Sequence, residues 1–177
     1  MAGAFVPDET PLARIILGID PGLAALGFGI VSFGSGRIVH VDHGCIKTSS
    51  NNDSGKRLQF IYRSIRELIQ TYRPDSGGIE DLYFFRNVSS ALPVAEARGV
   101  IKLAFEEELV PLAEFSPNEI KKAVTGTARA DKGLVQEMVR MLLNLDAIPK
   151  PDHAADALAA AICRINSEGP AGLLAPR

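Results

Sequence analysis

The sequence predicts an α/β fold in which helices flank a mixed five-stranded sheet. Three consecutive apolar segments open the ordered part of the chain over residues 15–47, and a short glycine turn joins the last two as a hairpin. Segments of helical periodicity then alternate with two further short strands. Strands separated by helices pair in parallel through crossover connections. The sheet should therefore be antiparallel on one side and parallel on the other.

The five predicted strands are apolar runs bounded by turn residues. They cover residues 15–20, 26–34, 37–47, 77–83 and 112–115. The first ends at Asp20-Pro21-Gly22, and Gly34-Ser35-Gly36 forms the hairpin turn. The fourth carries Glu80 near its end, and Pro111 precedes the fifth.

Five helices are predicted from apolar spacing and from capping residues. They cover residues 55–72, 88–109, 117–125, 132–145 and 152–165. Pro74 ends the first helix, and Ser116 with Glu119 forms a capping box for the third. Asp131 is interpreted as the N-cap of the fourth helix, and Asp152 is interpreted as either the N-cap of the fifth or a metal ligand.

The length of 177 residues predicts one domain, over residues 15–166, with an N-terminal extension (1–14) and a flexible tail (167–177). No apolar run approaches the roughly 20 residues that span a bilayer, and the N-terminus lacks the pattern of a signal peptide. We therefore expect a cytoplasmic protein with no membrane partner. Cys45 and Cys163 lack the spacing of a zinc site or a disulfide framework.

Net charge is −2, which does not indicate a nucleic-acid-binding protein. Basic residues are nevertheless concentrated in two places, residues 56–73 and the segment that contains Lys121, Lys122, Arg129 and Lys132. These segments are either ordinary solvated surface or local sites for phosphate.

Acidic residues at the ends of predicted elements indicate a metal site. Asp20 and Glu80 follow apolar strands, and ligands of such sheets lie beyond the carboxyl ends of the strands. His153 and Asp156 are three residues apart, so they project from one face of the last helix. Carboxylate oxygens suit Mg²⁺, which often also binds substrate phosphates. This pattern points to cleavage of a phosphodiester.

Two other features, a cluster of histidines with a cysteine and a long apolar helix, have either a functional or an ordinary structural role. His40 and His43 with Cys45 resemble metal ligands only faintly, because strand residues 40 and 43 should face opposite sides of the sheet. The helix over 88–109 has more apolar positions than one face holds. We interpret one of its faces as packing on the sheet and another as contacting a second copy of the chain.

Four motifs resemble those of one known family in order and separation. They are Leu17-Gly18-Ile19-Asp20-Pro21-Gly22, Gly78-Ile79-Glu80, Ala97-Arg98-Gly99-Val100 and His153-Ala154-Ala155-Asp156-Ala157-Leu158-Ala159. From about Ile15 to Ile165 the chain resembles the RuvC family of crossover junction endodeoxyribonucleases, the bacterial Holliday junction resolvases of recombination and DNA repair. The resemblance implies a ribonuclease-H-like fold, a homodimer, paired nicks in four-way junctions and partnership with the RuvA–RuvB branch-migration complex.

The resemblance also assigns site residues. It implies that catalysis and metal binding involve Asp20, Glu80, His153 and Asp156. Two Mg²⁺ ions would bind per site, with Asp20 contacting both, and cleavage would leave 5′-phosphate and 3′-hydroxyl ends. His153 stands where many members have aspartate, and imidazole suits Mn²⁺ better than Mg²⁺, so Mn²⁺ is expected to substitute.

The resemblance to the family also implies which residues contact DNA. Tyr83 matches an aromatic residue that packs on the opened junction, in a loop with Phe84, Phe85 and Arg86. Lys121 and Lys132 match lysines near the scissile phosphate and the DNA backbone, and Lys122 adjoins the first. The predicted DNA-binding set is Tyr83, Arg86, Lys121, Lys122 and Lys132.

Two rival functions remain open at this point. The segment Ile19-Asp20-Pro21-Gly22 with its hairpin also resembles the phosphate-binding start of sugar kinases and actin-like ATPases, which clamp nucleotide between duplicated domains. A catalytically silent junction-binding module is the second rival. Such a module would keep the basic residues and lose the acids, whereas the acids are present here.

Overall fold

The computed structural model describes residues 13–81 and 88–168, which form one five-stranded sheet and the helices that flank it. The strands are β1 (Arg14–Asp20), β2 (Ala25–Gly34), β3 (Arg37–Lys47), β4 (Ser76–Glu80) and β5 (Leu112–Phe115). Their order is β3-β2-β1-β4-β5. The first three strands pair antiparallel, whereas β4 pairs in parallel with both β1 and β5. The predicted mixed sheet is confirmed.

In the described part of the chain, five helices connect and cover the sheet, as predicted. They are α1 (Ser54–Tyr72), α2 (Val88–Glu107), α3 (Pro117–Thr125), α4 (Lys132–Leu142) and α5 (Asp152–Ser167). The capping box of Ser116 and Glu119 is present, and Asp131 caps α4 by accepting from the Leu134 amide at 2.8 Å. Helix α4 ends three residues earlier than predicted, because Leu143 leaves the helical conformation. None of the helices in the described ranges is long and apolar enough to cross a membrane.

The sheet lies between two helical layers with separate cores. On one face, Leu17, Ile19 and Ile79 of the sheet pack against apolar residues of α1 and α2. On the other face, Ile16 and Val31 pack against α3, α4 and α5. Helix α5 crosses the second face with ten buried residues, most of them alanine.

Glycines in the sheet let α5 lie unusually close to it. A Cβ added to Gly18 would stand 2.0 Å from the carbonyl oxygen of Ala157, and one added to Gly27 would stand 1.9 Å from that of His153. These contacts are with backbone atoms, which cannot rotate away as a side chain can. The alanine-rich helix α5 therefore faces a matching glycine surface, and the fit fixes the position of His153.

The predicted orientation of the histidines in β3 is wrong. A β-bulge places Ile30 opposite Asp42 but Val31 opposite His40, so Val41 is an extra residue on β3. The bulge shifts the alternation by one residue and brings His40 and His43 to the same face. His40 Nε2 lies 2.7 Å from His43 Nδ1, and the two rings meet edge to face.

Candidate metal centre

Asp20 and Glu80 end two neighbouring parallel strands. The register pairs Ile19 of β1 with Ile79 of β4, so the acids that follow emerge side by side at one edge of the sheet. Both residues are partly buried. The sequence prediction that these carboxylates are neighbours is thus matched by the topology.

Helix α5 brings His153 to the same edge. His153 Nδ1 lies 2.6 Å from Asp20 Oδ2, across 133 positions of sequence. This contact depends on the close approach of α5 at Gly27 described above. The imidazole is half-exposed, whereas the Asp20 side chain is 14% exposed, so the site opens on the histidine side.

Lys132, the first residue of α4, completes the cluster. Its Nζ lies 3.1 Å from Asp156 Oδ2 and 3.4 Å from Asp152 Oδ2. Desolvation lowers the pKa of Lys132, but the hydrogen bonds and charges of Asp156 and Asp152 outweigh it and leave the pKa raised. Lys132, which is predicted to bind DNA, therefore contacts one acid of the proposed metal site, Asp156, and its neighbour Asp152.

The predicted N-cap role of Asp152 is wrong. Pro151 occupies the N-cap position without a side-chain hydrogen bond, and Asp152 is the first residue of the helix. From that position its carboxylate turns to the ammonium groups of Lys132 and Lys150 instead of the helix amides. Hydrogen bonds from these lysines hold the pKa of Asp152 below its usual value, that from Lys150 most strongly.

The surroundings of Asp20 and Glu80 disfavour the ionised forms of both carboxyl groups. Burial, followed by the charges of Asp20 and Asp156, raises the pKa of Glu80 to about 7. Burial also raises the pKa of Asp20, although the hydrogen bond from His153 opposes it. Closely placed carboxylates with this behaviour favour a bound cation, which would stabilise their ionised forms.

The donor set fits a divalent metal ion, although the side chains are not preorganised for one. Within residues 13–81 and 88–168, no three His, Cys, Asp or Glu side chains are placed to share an ion as they stand. Asp156 is engaged by Lys132, and Asp20 by His153. Carboxylate oxygens and one imidazole are nevertheless suitable ligands for Mg²⁺ or Mn²⁺.

The raised pKa of Glu80 predicts a pH-dependent stability of the metal-free protein. Between pH 4.5 and about 7 the folded state binds more protons than the unfolded state, so the free energy of unfolding falls as pH rises. The free energy of unfolding of the wild type should therefore be larger at pH 5 than at pH 8. In Glu80→Gln we expect this difference in free energy to be smaller by about 1–2 kcal/mol, after allowance for the partial exposure of the side chain. Urea unfolding with a chelator measures it. Equal pH dependence in both proteins would contradict the assignment.

The remaining predicted residues are less closely tied to this cluster. Lys121 and Lys122 lie on α3, which packs against α5, and within the described ranges neither forms a salt bridge. The structure therefore brings Lys132, but not these two, into contact with the acids. Tyr83 and Arg86, with Phe84 and Phe85, lie outside the described residues.

Sequence reasoning assigned no role to Arg98, although it belongs to a quoted motif. Its guanidinium is buried on α2 and donates to Asp81, the residue after Glu80, and to Glu114 of β5. Its positive charge also lowers the pKa of Glu80, against the larger effect of burial. A charged residue between the buried positions 97 and 101 of an otherwise apolar helix face is the signal that could have revealed it.

Comparison with known proteins identifies the family. Residues 16–164 match the family described as crossover junction endodeoxyribonuclease RuvC. The chain is 52% identical over 155 residues to that protein from Treponema denticola, covering 88% of this chain and 87% of the relative. It is 46% identical over 162 residues to the protein of the same name from Treponema pallidum, covering 92% and 83%.

Solved structures agree with the sequence match. RuvC of Thermus thermophilus in complex with Holliday junction substrate is 31% identical, with a TM-score of 0.85 over 90% of this chain and 97% of that one. The yeast mitochondrial Holliday junction resolvase Ydc2 is 14% identical, with a TM-score of 0.63 over 86% and 78%, and shows the fold alone. The ribonuclease-H-like fold is confirmed, and this chain belongs to the crossover junction endodeoxyribonuclease RuvC family.

Proposed function

We propose that this chain is a metal-dependent endonuclease that resolves Holliday junctions by paired symmetric nicks in recombination and DNA repair. The observation that carries the proposal is the convergence of Asp20, Glu80, His153 and Asp156 at one edge of the sheet in a member of the RuvC family. The related Thermus thermophilus protein is described in complex with Holliday junction substrate. Each nick leaves a 5′-phosphate and a 3′-hydroxyl.

The four clustered side chains would hold two Mg²⁺ ions, or Mn²⁺ in their place. When bound, such ions activate a water molecule and stabilise the leaving oxygen of a phosphodiester. Asp20 lies at the centre, because β4 places Glu80 on one side of it and α5 places His153 on the other. Lys132 supplies a positive charge at the same edge, where the scissile phosphate would bind.

The DNA-binding surface would continue from the metal centre onto α3. Lys121 and Lys122 are on that helix, and their ammonium groups suit the phosphate backbone. We further propose that Tyr83 stacks on an unpaired base at the junction centre, with Arg86 beside it on the backbone. Stacking on a base that is already partly unstacked favours a branched substrate over intact duplex.

The test is cleavage of a labelled four-way junction in Mg²⁺ or Mn²⁺, beside a linear duplex of the same sequence. We expect symmetric nicks in the junction, ends that DNA ligase reseals, and no comparable cutting of the duplex. Equal cutting of both substrates, or hydrolysis of ATP in place of DNA, would contradict the proposed function. A chelator should stop the reaction.

His153 should influence which metal supports cleavage. Aspartate in its place offers hard oxygen ligands, so His153→Asp should remain active and raise the ratio of Mg²⁺-dependent to Mn²⁺-dependent rate by about tenfold. Steady-state cleavage rates in each metal measure the ratio. His43→Gln, which changes an imidazole outside the cluster, is the control. An unchanged ratio in His153→Asp would show that His153 does not contact the metal.

The exposed face of α2 supports a homodimer. Leu92 and Leu103 of α2 are 58% and 50% exposed, and Gly99 between them has open space where a Cβ would stand. The opposite face of the helix is buried through Ala97 and Ile101. Glycine weakens a helix, and a close approach of a second helix would explain it. A two-fold dimer would present two sites to a roughly two-fold junction.

A charge on this face should therefore dissociate the dimer. Leu103→Asp would place a carboxylate from each protomer in the proposed interface, and like charges that meet at an interface cost several kcal/mol. Light scattering after size exclusion should show a monomer, whereas Met141→Asp, on an exposed position of α4, should remain dimeric. A dimer of undiminished stability in Leu103→Asp would rule out this face of α2.

Partnership with RuvA–RuvB, the cytoplasmic location and the domain limits 15–166 remain proposals from the family resemblance. The proposed domain limits predict that a protein of residues 15–166 alone cleaves junctions.

A further inference from the structure

Arg98 joins three elements next to the metal centre. Its side chain is 8% exposed, and Nη1 donates to Asp81 Oδ1 at 2.7 Å. Nη2 donates to Glu114 on β5. Asp81 directly follows Glu80, and its amide donates to the Phe115 carbonyl oxygen at 2.7 Å. One guanidinium on α2 thus ties the end of β4 to β5.

Packing alone does not explain an arginine at this position. Its helix neighbours Ala97 and Ile101 are fully buried in an apolar core. Burying a cation carries a desolvation penalty of several kcal/mol, and apolar replacements of buried ion pairs are often as stable. The planar guanidinium, in contrast, binds two carboxylates in fixed directions, which neither lysine nor methionine does.

We propose that Arg98 is a positioning residue that fixes the carboxylate of Glu80 for metal binding. It acts through Asp81, because adjacent Cα atoms are 3.8 Å apart and holding Asp81 limits where the Glu80 backbone can move. Glu114 anchors the other end of the bridge on β5. The proposal deepens the proposed function and rests on it.

The test compares Arg98→Met with Lys102→Met. Lys102 is half-exposed and pairs with the same Glu114 at 2.6 Å, so its loss removes a charge partner of Glu114 while Arg98 and Asp81 stay in place. Calorimetric titration of the metal-free protein with Mn²⁺ gives the dissociation constant independently of cleavage. We expect Arg98→Met to raise that constant, and to lower kcat on the junction, by about 10–100-fold. Lys102→Met should match the wild type.

The Arg98→Met protein should fold, because Asp81 and Glu114 are 47% and 37% exposed and their carboxylates can reach water. Thermal unfolding checks this. If it does not fold, Arg98→Lys, which keeps the charge but not the two-carboxylate bridge, replaces it and should also bind Mn²⁺ more weakly.

Wild-type Mn²⁺ affinity in the folded Arg98 variant, or equal losses in the Arg98 and Lys102 variants, would overturn the positioning role while leaving the proposed function intact. A wild-type protein that binds no Mn²⁺ and cuts no junction would instead overturn both.

Discussion

Replacing Asp20 with asparagine should abolish junction cleavage while the protein still binds junction DNA. Asp20 is the acid that lies between Glu80 of the neighbouring strand and His153 of α5. An amide is a poor replacement for a carboxylate metal ligand, and the metal contributes several kcal/mol of transition-state stabilisation. Cleavage should therefore fall by about 1,000-fold or more. Single-turnover rates and gel-shift titrations, both with Mn²⁺, measure the two properties.

Asp146→Asn is a matched control, because Asp146 is an exposed carboxylate outside the cluster. It should cleave like the wild type. Cleavage by Asp20→Asn at a rate near that of the control would remove Asp20 from the site. Parallel loss of binding and cleavage would mean that the substitution damages the fold and not the metal site.

Gly27→Ala should damage both stability and catalysis, although it adds only one methyl group and removes no charged side chain. The new Cβ would meet the His153 carbonyl oxygen at 1.9 Å and its carbon at 2.4 Å. Relief requires α5 or β2 to move, and overpacking of this kind costs about 3 kcal/mol. Any movement of α5 also displaces His153 from Asp20, so we expect at least a tenfold lower cleavage rate.

Gly55→Ala is the control, because the nearest atom to its added Cβ is Asp53 Oδ1 at 3.5 Å, an ordinary contact. Alanine in the first turn of α1 should leave stability unchanged or slightly higher. Urea unfolding and cleavage rates of the two variants separate the effects. A Gly27→Ala protein as stable and active as Gly55→Ala would show that α5 does not depend on this close approach.

Local patterns were sufficient to predict the sheet and the position of its acids. Apolar runs bounded by glycine and proline marked all five strands, and crossover helices implied that the ends of β1 and β4 adjoin. These features depend on residues near one another in sequence, because hydrophobic periodicity and capping residues determine local structure.

Features that depend on tertiary contacts could not be predicted in this way. The bulge at Val41 is not visible in the strand pattern, so the prediction for His40 and His43 was wrong. Asp152 had the sequence of an N-cap, but Lys132, twenty positions away, draws its carboxylate elsewhere. Arg98 appeared only as part of a motif, because its partner Glu114 is on another element.

Anomalous scattering from Mn²⁺-soaked crystals shows whether this edge of the sheet binds divalent metal. Manganese peaks should lie within bonding distance of Asp20 and Glu80, with His153 and Asp156 turned toward them and Lys132 displaced from Asp156. Manganese bound elsewhere, with Lys132 still paired to Asp156 and Asp20 still bonded to His153, would contradict metal binding at this edge.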